Sequence, residues 1–338
     1  MMKSNITMRD IANQLGVSTV TVSKALGDKE GVSDELKLKI KQLATQMGYR
    51  YNTTAKAMKE GLSHNIGVII PERFTGLAQS FYLIVYKQIS LLLEQAGYFG
   101  ILSILSDQDE EQLQIPKIYA EKKVDGLIIL GQISKGYIQL VQKMELPKVF
   151  LDFYDEHSDI DAIVTDNFYG AYEITNYLIA QGHTKIAYVG NINSTSSIQD
   201  RYLGYYKSLL EHNLKLEEKL VISDRDERGK YIELELPKSA QDMPTAFVCN
   251  CDQIAYLLLE KLKSEGYSVP DDCSVVGFDN DIYATIATPH LTTMEVNFEQ
   301  MSSIAVKHII DKISSPTLKL GRVLVQGNII HRDSVSKC

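Results

Sequence analysis

The chain has 338 residues, 44% hydrophobic and 23% charged, with 35 basic against 43 acidic side chains and a formal net charge of −8. This describes a globular protein of two or three domains with no apolar run near the roughly 18 residues that span a bilayer. Met1-Met2-Lys3-Ser4-Asn5-Ile6-Thr7 has no apolar signal core, so a cytoplasmic location without a membrane partner is expected, and Cys249, Cys251, Cys273 and Cys338 read as reduced thiols.

A net negative chain argues against a nucleic-acid partner, because affinity for phosphates comes from lysine and arginine. The charge is unevenly shared, however. Residues 1–64 hold ten basic and six acidic side chains, a net +4, which leaves −12 on the remainder. Such asymmetry suggests a small anion-binding module on a larger acidic body.

Met8, Ile11, Ala12 and Leu15 recur at helical spacing behind Thr7, a suitable N-cap, and Gly16 stops that helix. Ser18 can cap a second helix with Val22, Ala25 and Leu26 inward and Thr19, Val20, Ser23 and Lys24 outward. A third begins at Ser33, carries Leu36, Ile40, Leu43 and Met47 on one face, and ends at Gly48, where a left-handed residue is cheapest. Three short helices so connected form a helix-turn-helix unit, whose second helix would enter the major groove by its N-terminal end. A helical cap on an enzyme is the alternative that spacing leaves open.

Thr7-Met8-Arg9-Asp10-Ile11-Ala12, Leu15-Gly16-Val17-Ser18 and Thr21-Val22-Ser23-Lys24-Ala25-Leu26, then Val32-Ser33, Met47-Gly48-Tyr49, Asn52 and Ala55, resemble the head of the lactose-repressor (LacI/GalR) family of bacterial transcription regulators. The resemblance implies base reading by Thr19, Val20 and Lys24: lysine can donate to guanine O6 and N7, valine can pack on a thymine methyl, and threonine can bond to either kind of edge. Ser18, Thr21 and Ser23 suit phosphates, which set register. The family commonly has arginine where Lys24 stands, and lysine lacks the planar fork, so discrimination there should be softer.

The head is expected over 1–48 and a hinge or linker over 49–64. A flexible tether would satisfy the linker's composition. The resemblance implies instead a short helix that forms when two subunits meet on the operator, with Asn52 and Ala55 at the DNA and Met58 as an apolar wedge in the minor groove. Tyr51 replaces the usual proline, so the hinge should depend more on dimerisation and DNA for its order.

From residue 65 to 338, short apolar runs (66–70, 100–105, 126–130, 148–151, 162–165, 185–189, 245–248, 274–277) alternate with helical stretches, among them 80–97, 168–181, 200–212, 253–266 and 298–313. Alternating units imply an α/β body of parallel sheets covered by helices on both faces. About 270 residues exceed one comfortable core, so two lobes are expected. Ile66-Gly67-Val68, Gly182-His183-Thr184-Lys185-Ile186-Ala187, Arg201-Tyr202-Leu203-Gly204-Tyr205 and Ser274-Val275-Val276-Gly277-Phe278-Asp279 resemble that family's body, itself similar to periplasmic sugar-binding proteins. By that likeness the first lobe takes about 65–163 and 296–324, and the second 164–295 and 325–338.

Ligands of such folds sit at the carboxyl ends of the strands. Asp152, Asp252 and Asp279 each follow a predicted strand, and Arg201 opens a helix after 190–197. A carboxylate can accept from two neighbouring sugar hydroxyls, and a guanidinium can bridge ring and hydroxyl oxygens. Phe81 and Tyr82 could stack on a sugar's C–H face or a nucleobase, and Thr195 and Ser197 are further candidates. Asp279 and Arg201 coincide with the family's effector positions. Asp252 matches an Asn-Asp pair in which Cys251 takes the asparagine's place and removes its amide.

Catalytic motifs fail. Gly131-Gln132-Ile133-Ser134-Lys135-Gly136 has the spacing of a phosphate loop, but Tyr137 holds the lysine position. Gly61-Leu62-Ser63-His64-Asn65 lacks the last glycine of a nucleophile elbow. Cys249-Asn250-Cys251 has no second pair or close histidine to complete a metal site. No catalysis, metal or cofactor is expected. The residues point to a homodimeric repressor of operator DNA, modulated by a sugar or sugar derivative. The alternatives are a co-repressor-dependent regulator sensing a nucleobase or other metabolite, and a solute receptor, which the basic head opposes.

Overall fold

The computed structural model describes residues 6–49, 61–76, 80–226, 229–239 and 241–338. The chain divides into two compact units, Met1–Ser63 and His64–Cys338. Asn52, Ala55 and Met58 lie outside the described residues.

In the head, helices α1 (Met8–Leu15), α2 (Thr19–Leu26) and α3 (Asp34–Gln46) are each started by a side-chain cap, from Thr7, Ser18 and Ser33. Each hydroxyl accepts a first-turn N–H that has no partner within the helix. Gly16 ends α1 at φ 65°, and Gly48 follows α3 at φ 70°. Ile11, Ala12, Val22, Ala25, Ile40 and Ala44 form the small core.

The body holds two six-stranded sheets. The first contains β1 (Asn65–Pro71), β2 (Phe99–Leu105), β3 (Gly126–Leu130), β4 (Lys148–Leu151), β5 (Asp161–Thr165) and β11 (Arg322–Val325), in spatial order 2-1-3-4-5-11 and parallel throughout. The second contains β6 (Ile186–Val189), β7 (Val221–Ile222), β8 (Ala246–Cys249), β9 (Ser274–Asp279), β10 (Thr292–Glu295) and β12 (Asn328–Ile330), in order 7-6-8-9-10-12. Only β12 runs antiparallel, against β10. β3 is buried at all five residues, as a central strand covered on both faces must be. In each sheet the order reverses once, between β1 and β3 and between β6 and β8, and that reversal opens a crevice at the carboxyl ends.

The chain passes between the sheets three times. After Thr165, Asp166 caps the helix Asn167–Ala180, which packs on β8, β10 and β12; after Glu295, Asn297 caps the helix Phe298–Ser314, which packs on β3, β4 and β5. The third passage joins β11 to β12. Four short strands, β7, β10, β11 and β12, and the helix Lys135–Gln142 lie outside the periodic runs of the sequence. β10 is buried through two threonines rather than aliphatic residues, which hides it from a hydrophobicity pattern.

Candidate functional site

On the head, α2 buries Val22 and Ala25 completely and leaves Val20 62% exposed, with Thr19 and Lys24 also exposed and Thr21 and Ser23 half-buried. The Ser18 hydroxyl accepts the Thr21 N–H at 3.0 Å and lies 2.8 Å from the Thr21 hydroxyl, which fixes the start of the helix. Lys24 leans along the turn after α2, its Nζ 3.2 Å from where a Cβ on Gly31 would stand. Lys37, Lys39 and Lys41 of α3 are paired with Asp34, Glu35 and Asp28, whereas Arg9, Lys24 and Lys29 have no acidic partner among the described residues. Exposed pairs of this kind are worth little, so phosphates can replace them.

In the body, side chains from both sheets' carboxyl ends line one cleft of about 770 Å³, solvent at its mouth included. Asp152 follows β4 and Asp279 ends β9, both in the left-handed region at φ 68° and 111°. Non-glycine residues rarely sit there, and each turn carries its carboxylate to the cleft wall. Asp152 Oδ2 accepts the Tyr82 hydroxyl at 2.8 Å. Tyr82 in turn packs against Phe74 and Phe81, with ring centroids 5.0 and 4.9 Å away.

Arg201, on the helix Ser196–Glu211, is 6% exposed and held on three sides. Its Nε donates to Asn167 Oδ1 at 2.8 Å, its Nη1 donates to the Asn250 carbonyl, and its Nη2 lies 3.2 Å from Asp279 Oδ1. Its plane covers the Phe278 ring at 3.7 Å. Burial pushes the Asp279 carboxyl up to about 7, with the Asp281 and Asp152 charges adding to the rise and Arg201 opposing it. Burial likewise raises Asp152, against the pull of Arg201 and the Tyr82 hydrogen bond. Carboxyls in this condition gain from any ligand hydroxyl that donates to the charged form.

Thr195 caps the Arg201 helix through the Ile198 N–H at 3.2 Å, and its hydroxyl lies 3.0 Å from that of Ser197; both line the cleft. Among the described residues, side chains of the first lobe meet the helix Ser196–Glu211 of the second at two places. Gln132 Oε1 accepts from the Ser196 hydroxyl at 3.2 Å, and Tyr154 donates to Asp200 Oδ1 at 3.0 Å.

Of the eight candidate effector residues, the cleft gathers Phe81, Tyr82, Asp152, Thr195, Ser197, Arg201 and Asp279. That is seven, and Asp252 is the exception. It is fully buried; Oδ1 accepts the Thr293 hydroxyl at 2.6 Å and Oδ2 accepts the Asp281 N–H at 3.0 Å. Asp252 is therefore a strut beneath the strand ends, accommodated because Gly277 has no Cβ: one there would stand 2.0 Å from Asp252 Oδ1. Its neighbours Cys251 and Gln253 line the cleft instead. Sequence reasoning also missed Gln132, Arg225, Tyr231 and Asp281. Gln132 stands two residues past the end of β3, where the strand-end rule points. Arg225 lies between strands in a stretch without periodicity and gave no signal.

Among the described residues, no cluster of His, Cys, Asp or Glu is placed to hold a metal, and no helix is long and apolar enough to cross a membrane.

Residues 7–52 match the family described as bacterial regulatory proteins, lacI family, and residues 175–335 match the periplasmic binding protein-like domain. The chain is 28% identical over 335 residues to the probable HTH-type transcriptional repressor ExuR of Bacillus subtilis (strain 168), covering 98% of this chain and 99% of that one. The fold is that of the lac repressor dimer bound to operator and the anti-inducer ONPF (TM-score 0.75, 23% identity, 98% of this chain and 100% of that one). It is also that of the transcriptional regulator CelR in complex with cellobiose (TM-score 0.68, 20% identity, 98% and 100%). With its head, its two-lobed body and relatives matched end to end, the chain belongs to the lacI family of bacterial regulatory proteins.

Proposed function

We infer that the protein is an operator-binding transcriptional repressor whose hold on DNA is set by a small carbohydrate-like effector in the cleft. The observation that carries this reading is the union, in one chain, of an exposed helix-turn-helix face (Thr19, Val20, Lys24) and a cleft lined by strand-end carboxylates and a clamped guanidinium. Carboxylates and guanidiniums side by side match the alternating donors and acceptors of a polyol. The cellobiose complex of CelR supports a sugar as the ligand class.

A second copy of the chain completes the reader. Leu83, Ile84 and Leu91 on the helix Ser80–Gln95 and Phe99 on the edge strand β2 are exposed apolar side chains on the first lobe, a surface suited to a twofold partner. The mechanism is linkage. Effector binding closes the lobes around Gln132–Ser196 and Tyr154–Asp200, closure alters how the paired first lobes meet, and the hinges then order less readily on DNA. Reciprocity requires operator to weaken effector binding by the same factor. A nucleobase acting as co-repressor is the second reading, favoured by the Phe74, Tyr82 and Phe81 rings, and it would reverse the sign of the coupling.

A gel shift of the full chain on DNA from its own upstream region, with and without a panel of sugars and nucleobases, tests this. Specific binding relieved by a sugar is expected. Failure to bind any specific DNA in either condition would sink the assignment.

A further inference from the structure

The cleft contains a second guanidinium, Arg225, and its setting is unusual. Between β7 and β8 the chain must cross β6 to a parallel strand, a passage that a helix ordinarily makes, yet residues 223–245 contain no helix among those described. Instead a tight hairpin pairs Arg225 with Tyr231. The Asp226 N–H donates to the Lys230 carbonyl at 2.9 Å and the Gly229 N–H to the Asp226 carbonyl at 3.0 Å, with Gly229 at φ 79° as the turn requires. The hairpin delivers both bridging side chains to the cleft wall.

Arg225 has little freedom there. Its Nε and Nη2 donate to Asp224 Oδ2 at 2.9 and 2.6 Å, Nη2 also reaches Asn250 Oδ1 at 3.3 Å, and the Tyr231 ring lies 4.9 Å away. Asp224 is fully buried and fixed in turn by the Asn191 N–H at 2.7 Å and Asn250 Nδ2 at 2.9 Å. One nitrogen, Nη1, is left with two N–H groups and no acceptor among the described residues. The charge of Arg225 is offset by Asp224 and that of Arg201 by Asp279, while Asp152 and Asp281 line the same cleft with no ion pair among the described residues. The cleft therefore offers fixed donors without a surplus of positive charge.

We propose that Arg225 is the specificity-determining donor of the cleft: Nη1 takes an uncharged acceptor oxygen of the effector, a ring or hydroxyl oxygen, and a carboxylate or phosphate at that place is rejected. The proposal rests on the effector-cleft reading above. A donor already locked by four contacts loses little freedom when it bonds a ligand, and a polar site discriminates sharply against an analogue that leaves its donor unpaired. An anion would face Asp152 and Asp281 with neither guanidinium free to neutralise it.

The test is calorimetric titration of the full chain at pH 7.5 with glucose, galactose, mannose, cellobiose, glucuronate, galacturonate and glucose 6-phosphate. The monodeoxy analogues of the member that binds are then titrated against wild type, Arg225→Gln, Arg225→Met and Arg201→Gln. A neutral sugar should bind, one deoxy position should cost wild type ~10- to 100-fold, and that cost should vanish in Arg225→Met and partly return in Arg225→Gln. A merely structural role would weaken all analogues alike and leave their ratios unchanged. Wild-type ratios in both Arg225 variants, or binding of the acids or the phosphate alone, overturn the proposal. If Arg201→Gln loses binding in that case, the cleft reading survives. If Arg201→Gln binds like wild type, or nothing in the panel binds, both fall.

Discussion

Asp161 offers the clearest test of how the separate chain segments of the first lobe are tied together. It begins β5, is 2% exposed, and spends both oxygens: Oδ1 accepts the N–H groups of Leu320 and Gly321 at 2.9 and 2.7 Å, and Oδ2 meets His308 Nε2 at 2.8 Å and Lys312 Nζ. A single carboxylate thus binds the helix Phe298–Ser314, entered by the second passage, to the segment leading into β11 and the third. Burial opposes ionisation, but these partners prevail and hold the carboxyl at about 2, below the ordinary 3.8. That difference corresponds to about 2 kcal/mol after allowance for solvent screening. Asp161→Asn also leaves the nearly buried Lys312 without its counter-ion, and breaking a buried pair costs ~3–5 kcal/mol, so a loss of about 3 kcal/mol is expected. The assay is urea unfolding from pH 7 to pH 3. A lowered carboxyl contributes fully above the unfolded-state value and progressively less as pH falls through the folded one, so the gap from wild type should shrink to about half at pH 3. Asp161→Asn combined with Lys312→Met should recover much of the loss. A deficit below 1 kcal/mol at pH 7, or one independent of pH, refutes the tether.

Four further outcomes are expected. Because burial raises Asp279 to about 7, the folded protein retains that proton where the unfolded chain has lost it, so stability should fall as pH rises from 4 to 7. An effector hydroxyl donating to Asp279 lowers its pKa, and a fall of one unit at pH 7 would release roughly 0.4 proton; calorimetry in buffers of different ionisation enthalpy that finds no release places the ligand elsewhere. Ile84→Asp with Leu91→Asp should yield monomers by sedimentation and weaken operator binding at least tenfold, whereas an unchanged mass would remove this surface from the dimer. Met58→Asp should abolish operator binding in a gel shift while effector titrations remain as in wild type, and retained operator affinity within tenfold would remove the wedge assignment.

Long elements were legible because each has its own periodicity and terminators. Thr7, Ser18 and Ser33 stand within four residues of the first apolar residue of each stripe, and each proves to be the cap. β3 and β4 coincide with the runs 126–130 and 148–151 because central parallel strands are apolar on both faces. The strand-end rule pointed to Asp152 and Asp279, whose side chains need only the turn after a strand to reach the cleft. It misled at Asp252, because whether a side chain after a strand faces ligand or core depends on a neighbour far along the chain, here Gly277. Arg225 was invisible for the same reason: beside its neighbour Asp224, its place is set by Asn191 and Asn250, contacts of long sequence separation that no local pattern encodes.

The three passages between the sheets also govern the order in which the protein can be built during synthesis. Neither lobe is finished when its first strands emerge. β1 to β5 must wait for the helix Phe298–Ser314 and for β11, both made after most of the second lobe, and the second sheet receives β12 only at residues 328–330. Until then the outer edges of β5 and β10 are open to other strands, a hazard for aggregation. A ribosome stalled near residue 295 would hold a head whose three helices and core are all present, attached to two half-made lobes. Such a fragment could engage DNA without the means to sense a ligand.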